Sequence, residues 1–204
     1  MIGILGGTFD PVHFGHLRTA LDVQQQLGLA QVRLIPLRDP PHRGTPALDA
    51  KQRLSLLQAA VADAPEFSVD TRELERDGKS YTLDTLQSLK SEQPSRTLCL
   101  LLGSDAFRQF PDWHRPREIL ELAHLVVMQR PGEADPAHYP ERITHQAERL
   151  ATRQAGLILP LQVTQLEISA TAIRGMLRQG RSPRFLLPDP VLRLIRQRGL
   201  YLDD

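Results

Sequence analysis

Apolar runs of strand length alternate with helically spaced segments along most of this chain. Residues 1–5, Met-Ile-Gly-Ile-Leu, read as a buried strand that stops at Gly6-Gly7, and residues 17–24 space their apolar positions as a helix does. Residues 32–36 predict a second strand, ended by proline, and residues 48–64 a helix with Leu54, Leu56, Leu57 and Val61 as its apolar stripe. Residues 67–69 predict a short third strand, and residues 82–89 a helix with Leu83, Leu86 and Leu89 on one side. Residues 97–102 carry the strongest strand signal, and residues 125–128 a further one stopped by Arg130-Pro131-Gly132. Residues 156–160 and 163–168 are short strand candidates, followed by two helices over 170–179 and 190–198. Residues 131–155 are polar and proline-flanked, which predicts an insertion packed on the core.

Strands alternating with helices imply an α/β domain with a parallel, doubly wound sheet covered by helices on both faces. At 204 residues the chain suits one domain, 1–204, with a small C-terminal helical part from about 169. In a 3-2-1-4-5 strand order, strands 1 and 4 flank the point where the order reverses, and ligands bind there beyond the carboxyl ends. That order sets residues 6–16 across a crevice from Gly103-Ser104-Asp105.

Charge and cysteine content narrow the classes. A net charge of +1 offers neither a polybasic nor a polyacidic signal, so no nucleic-acid partner and no membrane surface is expected. No apolar run approaches the roughly 18–20 residues of a membrane span, and the start lacks the basic region of a signal peptide, so a soluble cytoplasmic protein is expected. The single cysteine, Cys99, lies in an apolar run and reads as a small buried hydrophobe. A homo-oligomer is compatible with all of this.

Two strings carry chemistry. Residues 6–16, Gly-Gly-Thr-Phe-Asp-Pro-Val-His-Phe-Gly-His, join strand to helix and set His13 and His16 three residues apart, on one helical face. Unpaired N–H groups and the dipole at a helix start suit phosphate, so Gly6, Gly7, Thr8 and Phe9 with the two imidazoles form a candidate anion cradle. The glycines alone fit an ordinary strand–helix turn. In the second string, Ile168-Ser169-Ala170-Thr171-Ala172-Ile173-Arg174, the hydroxyls are natural N-caps that also donate to phosphate. Arg174, one turn on, can fork onto phosphate oxygens. In isolation this segment is a capped helix with a solvated arginine. No third ligand is spaced to complete a metal site with His13 and His16.

Gly-Thr-Phe-Asp-Pro-x-His-x-Gly-His resembles the signature of nucleotidyltransferases that carry a His-x-Gly-His motif, and its longer form most resembles that of the bacterial nicotinate mononucleotide adenylyltransferases. The resemblance implies a Rossmann-like fold and transfer of AMP from ATP to nicotinate mononucleotide, giving deamido-NAD and pyrophosphate. It implies catalytic roles for His13, His16 and Arg174. ATP would meet Gly6, Gly7, Thr8, Phe9, His16, Ile168, Ser169, Thr171 and Arg174, with Gly103 and Asp105 on the adenosine ribose. The mononucleotide would meet Gly7, Thr8, His42, Arg43, Thr82, Trp113 and Arg130, with Thr82 near the carboxylate and Trp113 stacked on the pyridine ring. Mg²⁺ would travel on the triphosphate, without a dedicated protein site.

Some of these residues have other readings. Ser104 or Asp105 serves equally as a helix cap, His42 and Arg43 as a solvated loop pair, and Asp84 and Thr85 read as capping residues. Relatives often carry Ser at the Ala170 position and Lys at that of Arg43. Rival functions are transfer to nicotinamide mononucleotide or phosphopantetheine, cytidylyl transfer, and a pyridine-nucleotide sensor without turnover. Thr82 and Trp113 together favour a pyridine acceptor. The retained His13, His16 and Arg174 favour turnover. A class I tRNA synthetase shares a similar histidine motif, but this chain offers no tRNA-binding appendage.

Overall fold

A computed structural model describes residues 1–38, 45–76, 78–130 and 132–202. Its elements are β1 (Ile2–Gly7), α1 (Phe14–Leu27), β2 (Val32–Pro36), α2 (Ala50–Val61), β3 (Phe67–Val69), α3 (Arg72–Glu75) and α4 (Thr82–Glu92). There follow β4 (Leu98–Gly103), α5 (Ser104–Arg108), α6 (Pro116–Leu122), β5 (His124–Gln129), β6 (Ile158–Gln162), α7 (Ala170–Arg178) and α8 (Asp189–Gln197). The strands form one parallel sheet in the order β3-β2-β1-β4-β5-β6, reversing between β1 and β4 as a doubly wound fold does.

Alternation along the strands divides the core into two layers. Ile2, Ile4, Leu98, Leu100, Leu102, Leu125 and Val127 meet Leu83, Leu86 and Leu89 of α4 and Ile119 and Leu120 of α6. Leu5, Leu34, Cys99, Leu101, Val126 and Leu159 face the other way, onto α1, α2, α7 and α8 through residues such as Leu17, Leu57, Ile173 and Val191. Cys99 is a buried hydrophobe, and burial pushes its thiol up to about 12. Among the described residues no helix is long and apolar enough to cross a membrane.

Two expectations need correction. Gly6 and Gly7 belong to β1, in register with Ile35 and Pro36 of β2, so the turn begins only at Thr8. Residues 163–168 form no strand: β6 is the sheet's edge, and the Thr164 N–H is taken by the Asp22 carboxylate of α1 (2.6 Å). Residues 132–155 pack on the core as expected, with Leu150 of the 3₁₀ turn Ala147–Thr152 buried in the α1 layer and Tyr139 and Ile143 against the α4 layer.

Candidate active site

Where the strand order reverses, β1 and β4 pair through Ile4 and Leu100, while both run on, to Gly7 and Gly103. Their carboxyl ends part there, and the loops that follow line the crevice. The first wall begins with Phe9, whose φ of +49° is unusual for a bulky residue. Its ring is buried and meets His16 edge-on at 5.2 Å between centroids. A Cβ on Gly7 would stand 2.9 Å from that ring, so the glycine is what lets Phe9 fold inward.

His13 is the N-cap of α1 and His16 lies in its first turn. The His13 N–H donates to His16 Nδ1 (3.4 Å), which leaves the His16 proton on Nε2. The two rings stack at 3.8 Å. Burial pushes His13 down to about 4, so it is neutral at pH 7, and its Nδ1 has no hydrogen-bond partner among the described residues. The same holds for the buried Thr8 hydroxyl.

The second string closes on the first through Gly15. A Cβ there would stand 2.9 Å from the His13 ring and 3.4 Å from the Ile168 carbonyl oxygen. This close approach sets the start of α7 beside the histidines. Ser169 is the N-cap of α7 and accepts from the Ala172 N–H (3.1 Å), leaving its own O–H to donate. Arg174 donates through Nη1 to the Asp10 carbonyl (2.7 Å) and through Nη2 to the Thr171 hydroxyl (3.4 Å). Thr8, His13, His16, Ser169, Thr171 and Arg174 thus share one wall of neutral and cationic donors.

On the other side of the reversal, a Cβ on Gly103 would meet nothing within 4 Å, so a ligand can reach its backbone. Asp105 is exposed and pairs with Arg108. Ser104 donates to the Met128 carbonyl (3.2 Å) and the Glu133 carboxylate (2.7 Å), and the N-cap of α5 is Gly103 itself. Arg130 is exposed just past β5. His42 and Arg43 lie outside the described residues.

The start of α4 adds a third side. Its N-cap, Tyr81, makes no side-chain cap, so the first N–H groups beyond Thr82 are open to a ligand. Asp84 and Thr85 do not cap it: Asp84 pairs with Arg76 (3.8 Å) and Thr85 donates to Glu73 (2.6 Å). Tyr81 meets the His114 ring at 4.5 Å, which brings α4 to the loop carrying Trp113. Trp113 is half-buried, edge-on to Phe110 at 5.6 Å.

Three further residues organise the first wall. Asp10 is buried and accepts from the Tyr201 hydroxyl (2.8 Å) and the Ala47 N–H (2.7 Å). Arg53, 1 % exposed, donates to the carbonyls of Thr8 (2.8 Å), Leu48 (3.2 Å) and Arg38 (3.5 Å). Asp10 stands inside the motif string, but nothing there marks it as a hub. Arg53 breaks into the apolar stripe of α2, a signal open to sequence reading. Tyr201 gives no signal beyond its apolar surroundings.

Comparison with known proteins adds independent evidence. Residues 4–176 match the family model described as cytidylyltransferase-like. A protein of Methylococcus capsulatus named "Probable nicotinate-nucleotide adenylyltransferase" is 50 % identical over 98 % of this chain and 99 % of its own length. One of the same name from Halorhodospira halophila is 48 % identical over 98 % and 94 %. Among solved structures, a nicotinic acid mononucleotide adenylyltransferase of Plasmodium falciparum complexed with NaAD superposes with a TM-score of 0.74 at 16 % identity, over 98 % of this chain and 96 % of that one.

Proposed function

We propose a residue-level mechanism for a chain that belongs to the cytidylyltransferase-like family, among its nicotinate-nucleotide adenylyltransferases. The chain is a nucleotidyltransferase that moves AMP from ATP to nicotinate mononucleotide, releasing pyrophosphate and giving deamido-NAD. A phosphate oxygen of the mononucleotide attacks the α-phosphorus in line. The new P–O bond forms as the bond to the β-phosphate oxygen breaks, and its electron pair leaves with pyrophosphate. Such transfer runs on positioning and charge stabilisation and needs no side-chain nucleophile.

The seating of the Ile168 carbonyl against Gly15 carries the assignment, because it puts both phosphate-binding strings on one wall. His16 donates from Nε2 to the phosphates where charge develops. His13, neutral and stacked beneath it, fixes its plane. Thr8, Ser169, Thr171 and Arg174 hold the β- and γ-phosphates, while Gly6, Gly7, Phe9 and Ile168 shape the wall. Gly103 and Asp105 take the ribose hydroxyls. Thr82 and the amides at the start of α4 take the nicotinate carboxylate, Trp113 takes the pyridine face, and Arg130, His42 and Arg43 attend the phosphates. Mg²⁺ arrives on triphosphate oxygens and water, since the donors lining this wall suit anions rather than a bare cation.

Pyrophosphate release tests both levels. With ATP, nicotinate mononucleotide should outpace nicotinamide mononucleotide and phosphopantetheine. His16→Ala should lower kcat by about 10²–10³ with the fold intact. Near-normal release by that variant would overturn the role given to His16.

A further inference from the structure

Arg174 stands in front of a carboxylate that does not fully engage it. Asp10 Oδ2 is 3.9 Å from Arg174 Nη1, beyond hydrogen-bonding distance, although a carboxylate and a guanidinium this close ordinarily join in a two-point fork. Each carboxylate oxygen already accepts one hydrogen bond. Oδ1 accepts from the Tyr201 hydroxyl and Oδ2 from the Ala47 N–H. Arg174 is held instead through Nη1 by the Asp10 main-chain carbonyl and through Nη2 by the Thr171 hydroxyl, with the carboxylate at ion-pair distance but not hydrogen-bonded. Arg53 is the other cation that senses the Asp10 charge, but its nitrogens are spent on main-chain carbonyls.

Tyr201 reaches this position from 191 residues away in sequence, with its ring buried and its φ at +66°. Burial and the neighbouring Asp10 charge push its hydroxyl well above the usual tyrosine range, so it stays a donor across the whole working pH range. We propose that Tyr201 is a positioning residue of the ATP-phosphate site: by holding Asp10 Oδ1 it keeps the carboxylate from turning to hydrogen-bond Arg174 and leaves the remaining Arg174 N–H groups to phosphate. This rests on Arg174 being a phosphate ligand.

Tyr201→Phe removes the donor and keeps the buried ring. With Oδ1 freed, the carboxylate should turn to accept from Arg174 and draw it off the phosphates. The expected result is a KM for ATP raised about tenfold, with the KM for nicotinate mononucleotide within about twofold of the parent. Adding Asp10→Asn should restore the KM for ATP to within about threefold, because a neutral amide cannot compete for the guanidinium. A merely structural hydroxyl predicts the opposite, that the second change compounds the first. An unchanged KM for ATP in Tyr201→Phe, equal rises in both KM values, or a worse double variant would overturn the proposal. Arg174→Ala, measured alongside, separates the two levels. If it leaves the KM for ATP unaltered, the phosphate-site reading fails and this proposal with it. If it raises that KM while Tyr201→Phe does not, only the role of Tyr201 falls.

Discussion

Arg53 occupies a core position of α2 usually given to leucine. The buried face of that helix is Arg53, Leu56, Leu57 and Val61, whereas the sequence pattern placed Leu54 in the stripe. A search for apolar spacing discards arginine, so it missed the side chain that ties the Thr8 loop to the segment after β2. The cost of burying a guanidinium is met here by the carbonyls of Leu48, Thr8 and Arg38. Arg53→Met should therefore destabilise the fold by about 2–4 kcal/mol, read as a lower urea midpoint, because it takes the donor from the Thr8 and Leu48 carbonyls. Arg53→Lys keeps the charge but cannot span three acceptors, and should fall between the two. A urea midpoint for Arg53→Met equal to the parent's would show that the guanidinium contributes nothing net. The histidines teach a related lesson. Their spacing was legible and placed both on one wall, but the burial that keeps His13 neutral was not.

Strands were the most legible elements because a parallel strand buried on both faces is a continuous apolar run. All six were readable to within about two residues, as were α7 and α8, and α2 and α4 to within about three. The helices α3, α5 and α6 span 4, 5 and 7 residues, too short for a 3.6-residue period to register. Residues 163–168 show the converse error: their composition suits a strand, but no strand lies beyond β6 to pair with them. At α4 the sequence located the helix start correctly and misread its capping, since Asp84 and Thr85 turn to Arg76 and Glu73 on the α3 side. The open amides that result favour an anion over an amide group. Thr82→Val keeps the shape of the side chain and removes its hydroxyl. It should raise the KM for nicotinate mononucleotide about tenfold, leave that for ATP within about twofold, and narrow the preference over nicotinamide mononucleotide. Parallel rises for acid and amide substrates would remove Thr82 from carboxylate recognition.

Two buried histidines, at opposite ends of the parallel strands, contribute to the response of the whole molecule to acid. His13 lies beyond the carboxyl end of β1; His124 opens β5 and is wholly buried. His124 Nδ1 accepts from the Leu157 N–H (3.1 Å) and Nε2 faces the Arg153 carbonyl (3.0 Å), so only the neutral form with its proton on Nε2 satisfies both. Burial lowers its pKa, aided by the Lys90 and Arg153 charges and opposed by the carbonyls of Arg153 and Leu150. Burial alone lowers that of His13 to about 4, from 6.5. In both cases the unfolded chain takes up a proton that the folded chain refuses. Their contribution is thus complete above pH 6.5 and is lost as the pH falls from there toward the folded values. The carboxylates act in a lower window. Burial opposes ionisation of Asp70, yet hydrogen bonds from Arg72 hold it below the usual range, and that contribution disappears only under stronger acid. Between pH 7.5 and 5.5 the two histidines should together cost about 2 kcal/mol of unfolding free energy. Glutamine offers one acceptor and one donor without a titration. His124→Gln should be less stable than the parent at pH 7.5, but its urea midpoint should fall less steeply down to pH 5.5. If the parent and His124→Gln lose stability in parallel over that range, the buried His124 is not one of the groups that senses the proton.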